Sequence, residues 1–492
     1  MMELKDKDLV SIQEVRDLVK AAKEAQTKLA KMSQNEIDNI VKAMADAAVV
    51  NAEKLAKMAC EETGFGIWQD KVLKNIFGSK TIYESMKDLK TVGIIKEDKE
   101  KQVMDIAVPM GVIAGIIPST NPTSTVMYKA LISLKGANTI VFSPHPSAKN
   151  CILETVRILS EAAEKAGCPK GAIGCISVPT LQATTELMKH KDTAMILATG
   201  GAAMVKAAYS SGNPALGVGA GNGPGYIDKS ADIKMAVKRI MDSKTFDNGT
   251  ICASEQSVVV EKVIEEKVVQ EFKTRGGYFL SPDESKKLEK FILRPNGTMN
   301  PQIVGKSVQH IANLANITVP QSARVLIARE DRVGINAPYS REKLAPILAF
   351  YVVNSVEEGC EKCKEILLNE GAGHSFMIHA EDKEVVKKFA LEMPVSRIPV
   401  NSLGSLGGIG ATVNLAPALT LGCGAIGGSA TSDNVGATNL INIKRVAYGV
   451  RELEDLRGGG GSSCCASNSS PEAEELIDLL VKKILSQLKG IN

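Results

Sequence analysis

With 492 residues, 59 of them basic against 56 acidic, and a net charge of +3, the chain is long enough for a large core and carries no charge excess that would direct it to nucleic acid or an anionic surface. Aromatic residues are only 4% and no basic stripe interleaves them, which argues against a nucleic-acid partner. Ten cysteines lie scattered without the dense spacing of a disulfide scaffold, and the longest apolar run, "GVIAGIIP", is far short of the roughly 20 residues of a membrane span. The expectation is a cytoplasmic protein in a reducing setting, with no membrane partner.

A polar helical region runs from Val10 to about Leu89. It is followed by the strand-like "KQVMDIAVPMGVIAGIIPS", a helical pattern from Thr123, the strand "NTIVFSP", a helix through "SAKNCILETVRILSEAAEKAG", "AIGCISVP", another helix and "TAMILATGG". A second set begins with "EQSVVV" and continues through the helix "EKVIEEKVVQEFKTRGG", the strands "ARVLIARE" and "PILAFYVV", the helix "VEEGCEKCKEILLNEG" and "HSFMIHA". Strands alternating with helices predict βαβ units and parallel sheets, hence an α/β fold. The sequence divides into residues 1–240, residues 241–430 and a return segment 431–456.

Beyond residue 456 the composition changes. "RGGGGSSCCASNSS" (457–470) reads as a flexible linker, and 471–492 as one amphipathic helix with Ser470 as cap and Pro471 at its first position. Leu476, Leu480, Ile484 and Leu488 recur every four residues, while Glu475, Asp478, Lys482 and Lys483 lie off that stripe. Such a helix needs cover, from its own subunit or from a partner; its mixed-sign polar face suits a membrane surface poorly.

Several motifs carry little. "GCGAIG" (422–427) matches G-x-G-x-x-G by letter, but no helix former follows, so dinucleotide-turn geometry is not expected there. Cys360 and Cys363 form a C-x-x-C in a charged helical segment with no second pair at zinc spacing, and read as a helix surface. Five histidines form no metal-binding cluster, so no metal is expected. Asn248 and Asn296 match a glycosylation pattern but read as turn residues.

"KTFDNGTICASEQSVVV" (244–260) is more informative. Asn248-Gly249 is a turn signal, and Ser257 to Val260 fits a strand, so Cys252 stands where a helix ends and a strand begins. Its neighbours Thr250, Ala253 and Ser254 are small and leave room for approach to the sulfur. By local chemistry alone the thiol is either a core filler or a nucleophile.

The segments "GVIAGIIPSTNPT", "ATGGAAMV", "GVGAGNGP", "FDNGTICASEQSVVV", "REKLAPILAF" and "LTLGCGAIGG" resemble, in order and spacing, those of the aldehyde dehydrogenase superfamily, and more narrowly its CoA-acylating branch. The resemblance covers about residues 10–450. The aldehyde half of bifunctional aldehyde/alcohol dehydrogenases is similar; this chain lacks their second, iron-dependent half.

The resemblance implies a Rossmann-type cofactor domain, an α/β catalytic thiol domain, and a small oligomerisation sheet formed between subunits by strands near 100–110 and in "INIKRVAYG", in a homodimer or homotetramer. Cys252 becomes the nucleophile, with Asn121 and the Cys252 backbone N–H as donors to the alkoxide. His374 would handle a proton. Hydrolytic relatives carry a glutamate base where this chain has Val218, which cannot activate water, so coenzyme A is the expected acyl acceptor. For NAD, the implied contacts are Thr199, Gly200 and Gly201 at a helix start, Glu342 on the nicotinamide ribose, and Ser143, His145 and Gly219; a lysine common near position 145 is replaced by histidine, leaving NADP open. The tail resembles the encapsulation helices of bacterial microcompartment enzymes, which implies a shell-protein partner for 471–492. Aldehyde chain length stays open between acetaldehyde, propionaldehyde and longer substrates.

Overall fold

The computed structural model describes residues 6–457 and 479–481. The N-terminal region is helical as its pattern predicts: α1 (Lys7–Leu29), α2 (Gln34–Val50), α3 (Ala52–Thr63), α4 (Trp68–Ile76) and α5 (Ile82–Met86). Local chemistry sets their ends. Ser33 and Glu36 form a reciprocal capping box that starts α2, and Gly64, at φ 66°, closes α3 in the left-handed conformation.

Strands β1 (Gly93–Asp98) and β2 (Val103–Pro109) lead into β3 (Val112–Ile116), α6 (Pro122–Lys135), β4 (Thr139–Ser143), α7 (Lys149–Lys165), β5 (Ile173–Cys175), α8 (Leu181–Lys189), β6 (Thr193–Ala198), α9 (Ala202–Tyr209) and β7 (Ala215–Gly217). β3 to β7 make a parallel five-stranded sheet in the order β5-β4-β3-β6-β7. Every residue of β3 and β4 is buried, as expected of strands covered by helices on both faces. Strand order reverses between β3 and β6, and the crevice beyond their C-terminal ends is where such a sheet offers a ligand site.

The chain then passes through 218–223 into a second sheet. Its elements are β8 (Pro224–Ile227), α10 (Ile233–Thr245), β9 (Ser257–Glu261), α11 (Glu265–Thr274), β10 (Gly277–Phe279), α12 (Pro282–Ile292), α13 (Val308–Leu314), β11 (Val325–Arg329), β12 (Ile347–Val353), α14 (Val356–Asn369), β13 (Gly373–Ser375) and β14 (Met377–His379). The order is β10-β11-β12-β9-β8-β14, all parallel, with a side pair of β13 and β15 (Val395–Arg397). The sequence division at residue 240 is corrected here. β8 and α10 belong with the later strands, and the change of sheet falls between β7 and β8; "PGYI" is too short, and too rich in Pro and Gly, to be read as a central strand.

The chain separates into two units, Met1–Ile95 with Ala107–Ile443, and Lys96–Ile106 with Lys444–Asn492. Both parallel sheets lie in the first. The second contains most of a three-stranded sheet of β1, β2 and β16 (Ile441–Ala447), in the order β1-β2-β16. The two strands expected between subunits are thus neighbours within one chain, and Arg445 Nε stands 3.4 Å from Asp105 Oδ1. Of the tail expected to be a linker and a helix, only Arg457 and 479–481 are described; the latter three are helical and exposed, and the rest of 458–492 lies outside the described residues. Among the described residues no helix is long and apolar enough to cross a membrane.

The C-x-x-C expectation also changes. Cys360 and Cys363 are 1% and 0% exposed, on the inner face of α14 against the second sheet's core. Charges at 357, 358, 361 and 362 made the segment look solvated, but at helical spacing they occupy the other face. All eight described cysteines are free.

Candidate active site

Cys252 lies on the connection from α10 to β9. The turn read at Asn248-Gly249 is present, and three successive residues, Asp247 (φ 49°), Asn248 (φ 52°) and Gly249 (φ 77°), take the left-handed conformation. Asp247 is the anchor: Oδ1 accepts from the Ile67 N–H at 2.7 Å, and Oδ2 accepts from Lys71 Nζ at 2.8 Å and from Lys74 Nζ. The far side of the Cys252 loop rests on the "VGAGNGP" segment. A Cβ on Gly221 would fall 1.9 Å from the Cys252 carbonyl oxygen, so only glycine permits this approach.

A cavity of about 270 Å³ opens between these loops and the crevice of the first sheet. Asn121, His145, Thr199, Gly200, Gly201, Gly219, Cys252 and Glu342 all border it. Ser143 does not. It borders a neighbouring cavity of about 410 Å³, with its hydroxyl 2.8 Å from Thr184 Oγ1, and His145 with Thr199 to Gly201 borders both. His145 is exposed at the rim, where Nδ1 accepts from the Ser147 N–H.

His374 stands behind the thiol. Its Nε2 is 3.2 Å from Cys252 Sγ and its Nδ1 is 2.6 Å from Ser375 Oγ. Burial, followed by the charges of Glu342 and Cys423, pushes the Cys252 thiol up to about 12; Arg397 opposes them. Burial and then Arg397 bring His374 down to about 3. The pair therefore rests as neutral thiol and neutral imidazole, ready to exchange one proton. Arg397 itself is held by backbone carbonyls, donating from Nη1 to the His374 oxygen at 2.8 Å and from Nη2 to those of Gly422 and Ser432.

Asn121 stands at the N-terminal end of α6, and its side chain makes no capping bond to that helix. Its Nδ2 donates to the Thr250 carbonyl at 3.0 Å, and Lys74 Nζ donates to its Oδ1 at 2.6 Å. Glu342 Oε1 accepts from the Gly221 N–H at 3.0 Å; burial and the nearby Glu370 raise its carboxyl to about 8. Val218, 5% exposed, presents an apolar wall to the cavity.

A dinucleotide fits what these residues offer. Thr199 Oγ1 is buried with no hydrogen-bond partner among the described residues, beside a helix start at Gly201 where the N–H groups of Ala202 and Ala203 have no helical acceptor. Glu342 supplies an acceptor for ribose hydroxyls on the same cavity. "GCGAIG" supplies no such site: its residues Ala425–Gly427 form a short 3₁₀ turn. Among the described residues no three His, Cys, Asp or Glu side chains group as metal ligands.

Sequence reasoning missed Lys71, Lys74, Asp247 and Arg397. Lysines three apart on a polar helix read as a solvent face, yet Lys71 and Lys74 are 2% and 3% exposed. Only their unusual company, an acidic residue in a tight turn far along the chain, marks them.

The aldehyde dehydrogenase family model matches residues 6–405. The bifunctional aldehyde-alcohol dehydrogenase AdhE of Escherichia coli K12 is 46% identical over 444 residues, 89% of this chain and 50% of that protein, so the chain spans about half the length of this relative. Among solved structures, an acetylating aldehyde dehydrogenase from Geobacillus thermoglucosidasius is 57% identical with a TM-score of 0.90, over 92% of this chain and 99% of that one. A propionaldehyde dehydrogenase from the Clostridium phytofermentans fucose utilisation bacterial microcompartment is 29% identical with a TM-score of 0.80, over 88% and 97%.

Proposed function

Since this chain belongs to the aldehyde dehydrogenase family, we propose that it is an acylating enzyme, oxidising a short-chain aldehyde to its coenzyme A thioester with NAD, reversibly. One observation carries the choice of acceptor: the cavity beside Cys252 has Val218 where a hydrolytic enzyme needs a base.

In this reading Cys252 Sγ attacks the aldehyde carbon and its proton passes to His374 Nε2, 3.2 Å away. The resulting alkoxide takes hydrogen bonds from Asn121 Nδ2 and the Cys252 N–H. Thr199 to Gly201 and Glu342 would hold NAD, which would supply the hydride acceptor; loss of hydride from the tetrahedral carbon leaves Cys252 as an acyl thioester. With the imidazolium's proton released to solvent, the thiol of coenzyme A adds to that carbonyl, giving its own proton to the now neutral His374, which returns it to the Cys252 thiolate as that sulfur departs. One thioester replaces another at nearly equal energy, so the reaction runs in either direction.

The test is product analysis with and without coenzyme A. Steady NADH formation that needs coenzyme A, with at most a burst of one equivalent in its absence, is expected; equal steady rates would restore a hydrolytic enzyme releasing the free acid. Cys252→Ala is expected to bind NAD and to lose aldehyde oxidation by several orders of magnitude.

A finer reading concerns location. The leucine stripe of residues 471–492 behind a glycine linker, together with the likeness to an enzyme from a microcompartment, supports docking on a shell protein. Residues 457–492 fused to a fluorescent protein are expected to give puncta in shell-producing cells, and Leu480→Glu with Ile484→Glu to disperse them with enzyme activity intact. Loss of activity on removing the tail would instead support docking on the enzyme itself. The sheet of β1, β2 and β16 is the proposed oligomerisation element of a homodimer or homotetramer.

A further inference from the structure

Among the described residues, Lys74 is the one charged side chain in hydrogen-bond contact with Asn121. It projects from α4, in the N-terminal helical region, and reaches four acceptors: the Asp247 carboxylate, Asn121 Oδ1 at 2.6 Å, Thr250 Oγ1 at 3.1 Å and, at 3.5 Å, the Thr250 carbonyl. An ammonium has only donors, so the Asn121 oxygen must face it, which fixes the amide the other way round for everything else. The amide nitrogen then has one firm acceptor, the Thr250 carbonyl at 3.0 Å, two residues before the thiol. Its remaining hydrogen has only a 3.3 Å contact with Thr120 Oγ1, weak enough for a charged oxygen to displace.

The rest of the cluster keeps Lys74 in place. Lys71 shares the Asp247 carboxylate and also donates to the Thr120 carbonyl at 2.9 Å, tying α4 to the residue before Asn121. Asp70 Oδ2 accepts from the Asp247 N–H at 2.7 Å. Gly66 lies so close that a Cβ there would meet Asp247 Oδ1 at 1.9 Å. A buried ion pair of this kind is a costly way to stabilise a fold, and its geometry is better explained by what it orients.

We propose that Lys74 is a positioning residue for the reaction: by holding the carbonyl oxygen of Asn121 it presents the amide nitrogen to the cavity and polarises it into a stronger donor for the thiohemiacetal alkoxide. This rests on Asn121 being an alkoxide donor.

A double-mutant cycle separates the two ideas. Lys74→Met keeps Asp247 paired with Lys71 and is expected to lower kcat by about 10- to 100-fold with KM for aldehyde little changed, while NAD binding and iodoacetamide labelling of Cys252 stay at wild-type rates. Lys74→Gln, which can still donate to Asn121 Oδ1, is expected to recover part of the loss; should Lys74→Met fail to fold by circular dichroism, the cycle is run with Lys74→Gln. Combined with Asn121→Ala, the Lys74 change is expected to cost nothing more. Full additivity, or a loss confined to KM or to thiol labelling, would overturn the proposal while leaving the Asn121 reading intact. An undiminished kcat in Asn121→Ala alone would instead overturn the Asn121 reading, and the proposal with it.

Discussion

His374 Nε2 lies 3.2 Å from Cys252 Sγ, inside hydrogen-bond reach for sulfur, and both partners are neutral at rest. A thiol raised to about 12 is almost wholly protonated through the working range. Labelling of the free enzyme by iodoacetamide is therefore expected to accelerate about tenfold per pH unit from pH 7 to 10 without reaching a plateau. A plateau near pH 8 would show a thiolate already formed at rest.

Replacing His374 by Ala is expected to slow both acylation and transfer to coenzyme A by about 10²- to 10⁴-fold, because in the proposed reaction each step passes a proton through Nε2. Single-turnover rates of NADH formation and of acyl transfer measure the two separately.

After burial, the Glu342 carboxylate does most to raise the Cys252 thiol, and its own carboxyl is raised to about 8. Glu342→Gln removes that charge, so the thiol pKa falls and labelling quickens. The size of the effect is pH-dependent. Above pH 8, where Glu342 is ionised, the variant is expected to label faster than wild type; below pH 7, where Glu342 is already protonated, the two converge. The same variant is expected to bind NAD more weakly in a titration.

Glycines 219 and 221 differ sharply in what they tolerate. A Cβ at Gly219 would meet nothing closer than Cys423 Sγ at 3.7 Å, an ordinary contact, whereas at Gly221 it would strike the Cys252 carbonyl at 1.9 Å. Gly219→Ala is expected to leave thermal stability within about 1 kcal/mol of wild type. Gly221→Ala is expected to displace the Cys252 loop and abolish activity, with a lowered melting temperature.

Placing a carboxylate at Val218 tests the acceptor choice directly. Val218→Glu is expected to give slow steady NADH formation without coenzyme A, since the acyl thioester then has a base for water within the same cavity. Retention of strict coenzyme A dependence in a folded variant would show that more than the missing base excludes water.

The α/β class, most strands and the thiol were legible because buried parallel strands give unbroken apolar runs, as in "VIAGI" and "SVVV", and because turn chemistry at Asn248-Gly249 is local. Roles for Asn121, His374 and Glu342 came from resemblance, and the structure brings all three to Cys252. What stayed illegible depends on distant partners. Lys71 and Lys74 look like solvent lysines until Asp247 is seen between them, and Cys360 and Cys363 look exposed until α14 is laid on its sheet. The boundary near 240 failed for a similar reason, since β8 is recognisable as a strand only from its neighbours β9 and β14.

The pairing of Lys74 with Asp247 joins residues 173 positions apart. Closing so long a loop is entropically slow, and it rewards the chain only after both sheets have formed enough to hold its ends. The surroundings of Cys252 are therefore expected to assemble late in folding, after the contacts local to each sheet. Recovery of activity on refolding is accordingly expected to lag behind recovery of secondary structure, and partial unfolding of the N-terminal helices to extinguish turnover while much of the sheet structure survives.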